Sequence, residues 1–509
     1  MKQSIPLILS GSLALAGCAV GPDYERPEVV GLGDAFEGTG PTTRATTRPA
    51  DLTTWWDRLG DPQLTELVVD ALDRSPDVEE AFGRVLESRA LLEAASGQRL
   101  PFVDAQAGYT RSRTSENLDG FSGLAAGGTS GGGTSGGEAV DGDGSSIGSA
   151  FDAETDIYTL GLGATWEIDL FGRLKRRVQA AGRQFEADRF DLADVRVTLA
   201  ADVATAYVNV RELQNRLRIA RENVALQERS LEIARARFES GLTTELDVAQ
   251  AVANLQQTRS TIPEFERGLR VAKNALAVLI GRRPGTLDGE VAVEMPVPRA
   301  DATIATGVPA DLLRRRPDIR RAERELAAAV AEIGAAEADL YPRLSLAGTF
   351  GLAAGDLDDL FDWDSRTFDV GPQLAWPIFQ GGTLRALVAA ADGRRVQEVA
   401  NYRRTILTAL RETSDAVASL SRDRDRREIL GQSVEAAQRA VELADAQYGD
   451  GLIDFDRVIA TQQTLFTAQD ALAAADAAVT VDLITLYRAL GGGWQPPPLI
   501  DNDMASTTP

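Results

Sequence analysis

The sequence predicts a mostly α chain with a membrane β-barrel portion: two structural repeats that together supply four strands and two long coiled-coil helical hairpins. Three observations predict it. Unlike features recur at constant offsets along the 509 residues, strict two-residue alternation occurs in two separate blocks, and long proline-free seams of helical period follow each block. Each alternating run is about 9 to 11 residues, the length that crosses a bilayer when tilted. Four strands leave two open edges, and an open edge cannot face lipid, so partner chains are required. Three copies would close a 12-stranded barrel.

The first element is an export signal. Lys2 supplies a positive n-region, Ile5 to Ala16 an apolar h-region, and Leu15-Ala16-Gly17-Cys18 a small-residue cleavage site, giving a signal over 1–17. It resembles a bacterial lipoprotein signal, which implies an acylated Cys18 as the first mature residue; an ordinary secretion signal is the alternative. Ala19 rather than aspartate follows, which in that pattern implies release to the outer membrane. An anchored segment and equatorial region would then occupy 18–75. No later run of about 20 apolar residues offers a transmembrane helix, so a membrane-crossing body must use strands.

The repeats follow. Arg316-Pro317-Asp318-Ile319 echoes Ser75-Pro76-Asp77-Val78, and Pro342 echoes Pro101, both at an offset of 241 residues. Trp376, Gly382, Gly451-Leu452 and Leu486 to Gly491 echo Trp166, Gly172, Gly241-Leu242 and Leu276 to Gly281 at an offset of 210. One 31-residue insertion in the first half reconciles the two offsets. Repeat 1 would span 76–281, with strands over 102–112 and 156–166 and a hairpin over 171–280. A linker covers 282–316. Repeat 2 would span 317–491, with strands over 343–351 and 367–376 and a hairpin over 383–490, before a tail at 492–509.

Within each repeat the opening helix starts at a proline, which suits the first helical position. The strands alternate Val103, Ala105, Ala107 and Tyr109 against polar neighbours, then Leu160, Leu162, Ala164 and Trp166; the second repeat alternates Leu344, Leu346 and Phe350, then Phe368, Val370 and Leu374. Pro372 gives no ladder N–H and implies a bulge or an edge. Alternation alone also fits a small soluble sheet with one wet face. The long helices carry seams at Leu213, Leu217, Ala220, Val224, Gln227, Leu231, Ala234 and Phe238, and at Leu430, Val434, Ala437, Val441, Ala444 and Tyr448. Gly241 and Gly451 suit a left-handed helix stop, and Pro263 should kink the first return helix.

Composition narrows function. With 53 Lys+Arg against 76 Asp+Glu the formal charge is −23, which disfavours nucleic acid as a partner. Histidine is absent, removing the usual general base, triad partner and metal ligand, so the sequence predicts no catalytic residues, no metal and no cofactor. The nucleophile-like Gly144-Ser145-Ser146-Ile147-Gly148 lies in a Gly/Ser-rich tract and is compositional. The basic runs Arg314 to Arg316 and Arg422 to Arg427 read as solvated helix faces.

This order of elements, with Trp55-Trp56, Gly60-Asp61-Pro62-Gln63-Leu64, Pro317-Asp318-Ile319 and Trp376-Pro377-Ile378-Phe379, resembles the TolC-like outer-membrane efflux family, and its lipoprotein start resembles the NodT subgroup. The resemblance covers Cys18 to about Trp494. It implies a homotrimer whose 12-stranded barrel continues as an α-helical barrel, meeting a periplasmic adaptor protein and, through it, an inner-membrane RND pump. It further implies that Gly241, Leu242, Gly451 and Leu452 are adaptor-docking tips; the residues alone allow plain turns. The family places a gate carboxylate nine residues after the second tip glycine, where Ala460 stands here. Asp456 is therefore the expected constriction residue, with Asp454, Asp247 and Glu245 beside it. Trp166 and Trp376 are expected at the membrane interface. A type I protein secretion outlet of the same fold, a periplasmic coiled-coil scaffold lipoprotein and a lipoprotein hydrolase are the rival readings.

Overall fold

The computed structural model describes residues 19–27, 52–113, 154–299 and 315–495. Cys18, the signal, the Gly/Ser-rich tract and Arg314 lie outside the described residues. The chain divides into two compact units, Met1–Gly21 with Ala94–Val178 and Gly334–Val388, and Pro22–Glu93 with Gln179–Ile333 and Ala389–Pro509.

The first unit carries the sheet. Strands β1 (Phe102–Arg113), β2 (Glu154–Ile168), β3 (Arg343–Ala354) and β4 (Arg366–Ala375) are antiparallel neighbours in chain order, so β1 and β4 are its edges. β2 extends two residues beyond the expected range at each end, and β3 three residues further at its end. Register sorts the side chains by face. Val103, Ala105 and Ala107 stand opposite Ala164, Leu162 and Leu160; the last two stand opposite Phe350 and Leu352, and Phe350 opposite Phe368. One face is thus an apolar field that gives way to Arg111, Asp156 and Arg366 at one end, and its large members, Leu162, Phe350, Phe368 and Val370 among them, are exposed. Such a field is what a lipid-facing sheet presents. Pro372 lies on edge strand β4, where the pairing Leu346↔Pro372 continues the register without a bulge.

At the foot of β2 the same unit builds a seat for its own N-terminal strap. Val20 donates its backbone N–H to the Phe171 carbonyl (3.1 Å), and the buried Arg176 donates to the carbonyls of Val20 (3.1 Å) and Gly21 (2.9 Å). Gly172 sits at φ +77°, and a Cβ there would lie 2.7 Å from the Cα of Ala19. Gly172→Ala is therefore expected to cost about 2 kcal/mol, from left-handed strain plus displacement of the strap. Hydrogen exchange at the Val20 amide should accelerate toward that of an open segment; unchanged protection would contradict the seat.

The second unit is helical. Helices α1 (Pro62–Arg74), α2 (Pro76–Gly97) and α5 (Pro317–Ala338) each begin at a proline, whose missing N–H is an unbonded position anyway. Helices α3 (Arg173–Glu239) and α6 (Thr383–Gly449) have 67 residues each, and α4 (Glu245–Leu279) and α7 (Phe455–Ala489) have 35 each. At 1.5 Å per residue the longer pair each run about 100 Å. Among the described residues no helix is long and apolar enough to cross a membrane. Helix α4 continues unbroken through Pro263; in the turn before it, the hydroxyls of Ser260 and Thr261 donate to the carbonyls of Gln257 and Thr258.

The main core joins α1, the middle of α3, the ends of α4 and α7, and Leu287, Val291 and Val297 from the connecting segment. Trp55 stacks on Tyr487 at 5.2 Å within it. The seam residues Leu217, Ala220, Leu231 and Ala234 are buried, as are Val434, Ala437, Val441, Ala444 and Tyr448. Phe238 is a correction: it is exposed, because it lies in the last turn of α3, past the cluster formed around Leu231 and Ala234. Arg316 is another. It is buried rather than solvated, donating to Asp318 and Glu412 (both 2.8 Å) and to the Ala489 carbonyl that ends α7 (2.9 Å). Arg427 likewise spends its charge on Asp476.

Candidate functional site at the helical turns

Helix α3 ends by the same device as α6. Gly241 at φ +70° donates to the Phe238 carbonyl (2.9 Å) and Leu242 to that of Arg237 (2.9 Å). Gly451 at φ +74° donates to Tyr448 (2.9 Å) and Leu452 to Gln447 (2.8 Å). These are Schellman turns, in which only glycine takes the left-handed residue without strain. The residue after the glycine in such a turn commonly folds back onto the helix. Here Leu242 and Leu452 are instead 67% and 72% exposed.

The two turns are tied together by a residue that sequence reasoning missed. Arg237 donates to the carbonyls of Tyr448 and Gly449 (3.1 Å to the latter), and its guanidinium lies 4.7 Å from the Tyr448 ring centroid. A cation at the C-terminus of α6 also answers that helix's dipole. Tyr448 packs on Phe455 at 5.1 Å, inside a cluster that draws Leu231, Ala251, Leu255, Ala444 and Val458 from all four long helices. Burial raises the Tyr448 phenol pKa, with the Asp247 carboxylate adding to the rise.

The expected carboxylates divide into two kinds. Asp247 is half-buried in the first turn of α4 and accepts a hydrogen bond from Thr243. Glu245, Asp454 and Asp456 are exposed, and among the described residues none of them has an ion-pair partner. Asp454 caps the start of α7 by position without a side-chain capping bond, and Asp456 lies in its first turn. The structure joins none of the four to another within the chain. Ala460 is exposed on α7.

Trp166 lies on β2, and Trp376 immediately follows β4. Each indole N–H donates to a backbone carbonyl just upstream of the adjoining strand, Trp166 to Arg99 (2.9 Å) and Trp376 to Leu340 (3.3 Å). Both rings remain exposed, apolar in body and bonded at the polar end, as interface aromatics are.

A second missed constellation explains the Gly60-Asp61-Pro62-Gln63-Leu64 motif. Asp61 caps α1 by accepting from the N–H groups of Gln63 (2.9 Å) and Leu64 (3.2 Å), and accepts from the Tyr207 hydroxyl (2.7 Å). Arg211, wholly buried, donates to Tyr207 (2.8 Å), Gln63, Gln214 (2.7 Å) and the Val293 carbonyl (2.6 Å). No local pattern signals it; a buried arginine on a seam of apolar period is the sole hint.

The family model described as Outer membrane efflux protein matches residues 67–282 and 308–492. The toluene efflux pump outer membrane protein TtgF of Pseudomonas putida is 31% identical over 496 residues, 96% of this chain and 96% of that one. Nodulation protein T of Rhizobium leguminosarum is 28% identical over 485 residues, 95% of this chain and 96% of the relative. Among solved structures, the outer-membrane channel OprN aligns with a TM-score of 0.82 at 31% identity, over 94% of this chain and 100% of that one.

Proposed function

The chain belongs to the outer membrane efflux protein family, and from that premise we propose that it is the homotrimeric exit duct of a tripartite pump. It is an outer-membrane efflux channel; the proposal concerns how it is built and opened. The carrying observation is the four-stranded sheet, whose apolar face is exposed and whose edges β1 and β4 lack strand partners among the described residues. Three copies pairing β4 to β1 leave no edge in lipid and make a 12-stranded barrel. The lipid on Cys18 adds an anchor to that barrel.

The chain is a tandem duplication in this reading. Under the two sequence offsets the pair Phe102↔Thr165 maps onto Arg343↔Ala375, and those residues are paired. The four helix-ending glycines Gly241, Gly281, Gly451 and Gly491 lie at φ +70°, +69°, +74° and +68°, in matched positions. The two stretches that match the family model support the same division.

Opening occurs at the helical turns. Exposed Leu242 and Leu452, held on rigid glycine turns, offer the apolar contacts a periplasmic adaptor hairpin would cover, and an RND pump in the inner membrane would supply the energy. TtgF is named as the outer membrane protein of a toluene efflux pump. Asp456, with Asp454, Glu245 and Asp247, forms the carboxylate gate, since three copies bring like charges together and release of that repulsion favours opening.

The test uses a Cys18→Ala chain with a cleavable non-lipoprotein signal, extracted from outer membranes. We expect a membrane-integral trimer whose planar-bilayer currents grow several-fold in Asp456→Ala. Leu242→Asp/Leu452→Asp should keep those currents while abolishing efflux in cells. A soluble monomer without channel activity would overturn the duct and favour a periplasmic scaffold.

A further inference from the structure

Helix α6 presents an unfilled groove of about 560 Å³ along one stripe, lined by Val396, Val399, Ala400, Arg403, Leu407 and Arg411. These positions recur at helical spacing, so they form one face. Val396 and Leu407 are exposed, an unusual state for large aliphatic side chains on a packed helix. Among the described residues Arg403 has no ion-pair partner.

Helix α2 presents the complementary stripe. Glu79, Phe82, Gly83, Leu86 and Ala90 share one face, with Glu87 at its margin. Phe82 and Leu86 are half exposed, Gly83 has open space where a Cβ would stand, and among the described residues neither Glu79 nor Glu87 has an ion-pair partner. The face is acidic and apolar where the groove is basic and apolar.

We infer that the α2 face of one copy seats in the α6 groove of the next, which deepens and rests on the trimeric reading above. The two surfaces differ and lie on one chain, so their pairing is head-to-tail and closes into a ring when the rotation allows. An antiparallel register that sets Glu79 against Arg403 also sets Phe82 against Ala400, Gly83 against Val399, Leu86 against Val396 and Glu87 against Arg395. Large meets small at the first two apolar positions, which permits close helix approach, and acid meets base at both ends of the contact. Arg395 already bonds Asp392 (2.8 Å), so Glu87 joins an existing pair.

The experiment measures mass in detergent for the full, lipidated chain at matched concentration. Glu79→Arg/Glu87→Arg and, separately, Arg395→Glu/Arg403→Glu should each lower the trimer fraction at least tenfold, and the four changes combined should restore it. Leu86→Cys/Val396→Cys treated with a short bis-maleimide linker, each of whose two alkenes adds one thiol, should give covalent multimers, a readout that does not depend on destabilising the fold. Trimers unaffected by both reversals, without cross-linked product, would overturn this interface while leaving the trimeric duct standing. A monomeric wild-type chain would overturn both.

Discussion

Arg211→Ala is expected to lower stability by about 4 kcal/mol, the range for removing one member of a buried charged network. The guanidinium is fully buried and holds four separate acceptors, so its loss removes the donor to Gln63 and to the Val293 carbonyl and leaves the buried Gln214 side-chain oxygen without its partner. Burial, together with the Asp61 carboxylate, pushes the Tyr207 phenol pKa up, so Tyr207 stays a neutral donor and cannot compensate by ionising. Gln214 also holds the Val291 carbonyl (2.7 Å), and the segment over 284–299 therefore depends on this hub for its place on α3. Denaturant unfolding in detergent should show the loss, with new proteolysis inside 284–299. Arg211→Lys keeps the charge but not the fork, and should recover less than half of the loss. A variant within about 0.5 kcal/mol of wild type would show that the hub contributes nothing net.

This hub marks the boundary of what the sequence makes legible. Local chemistry is readable: proline at a helix start, glycine at a left-handed stop, alternation in strands and seams in helices each depend on a few neighbouring residues. Strand positions are readable from alternation, whereas the residue-by-residue pairing is not, because a slip of two residues leaves the alternation unchanged. Arg211 meets Gln63 across 148 positions and Arg237 meets Tyr448 across 211, and no periodicity encodes such a meeting. Arg316 misleads for the same reason. In a run of three arginines it reads as a solvated face, yet its partners Glu412 and the Ala489 carbonyl come from two other helices. At the turns, glycine geometry is legible, whereas the exposure of Leu242 and Leu452 departs from what such a turn alone implies, and in the trimeric reading the role of each carboxylate depends on neighbouring copies and is not written in one chain's pattern.

Asp194→Asn should stabilise the protein near neutrality and do nothing at acid pH. Asp194 lines a small polar cavity of about 170 Å³ with Thr198, Arg316, Asp318, Glu412 and Arg488. Burial raises its carboxyl pKa from 3.8 to about 6, Asp318 and Asp191 add to the rise, and Arg321 and Arg316 oppose it. Because the folded-state value lies above the unfolded one, the folded chain binds an extra proton between about pH 4 and pH 6. The stabilisation that accompanies this proton is fully present below about pH 4 and is lost as pH rises through 6. At pH 7.5 the ionised carboxylate then costs about 2 to 3 kcal/mol, which a neutral amide of the same shape avoids. Paired melts of wild type and Asp194→Asn should therefore differ by several degrees at pH 7.5, with the variant higher, and converge by about pH 4. The opposite sign would mean that Arg316 and Arg321, already engaged with Asp318, Glu412 and Asp191, draw net stability from Asp194 as an anion. Equal melts at both pH values would place the carboxylate in water and remove the cavity as a pH-dependent element of the helical unit.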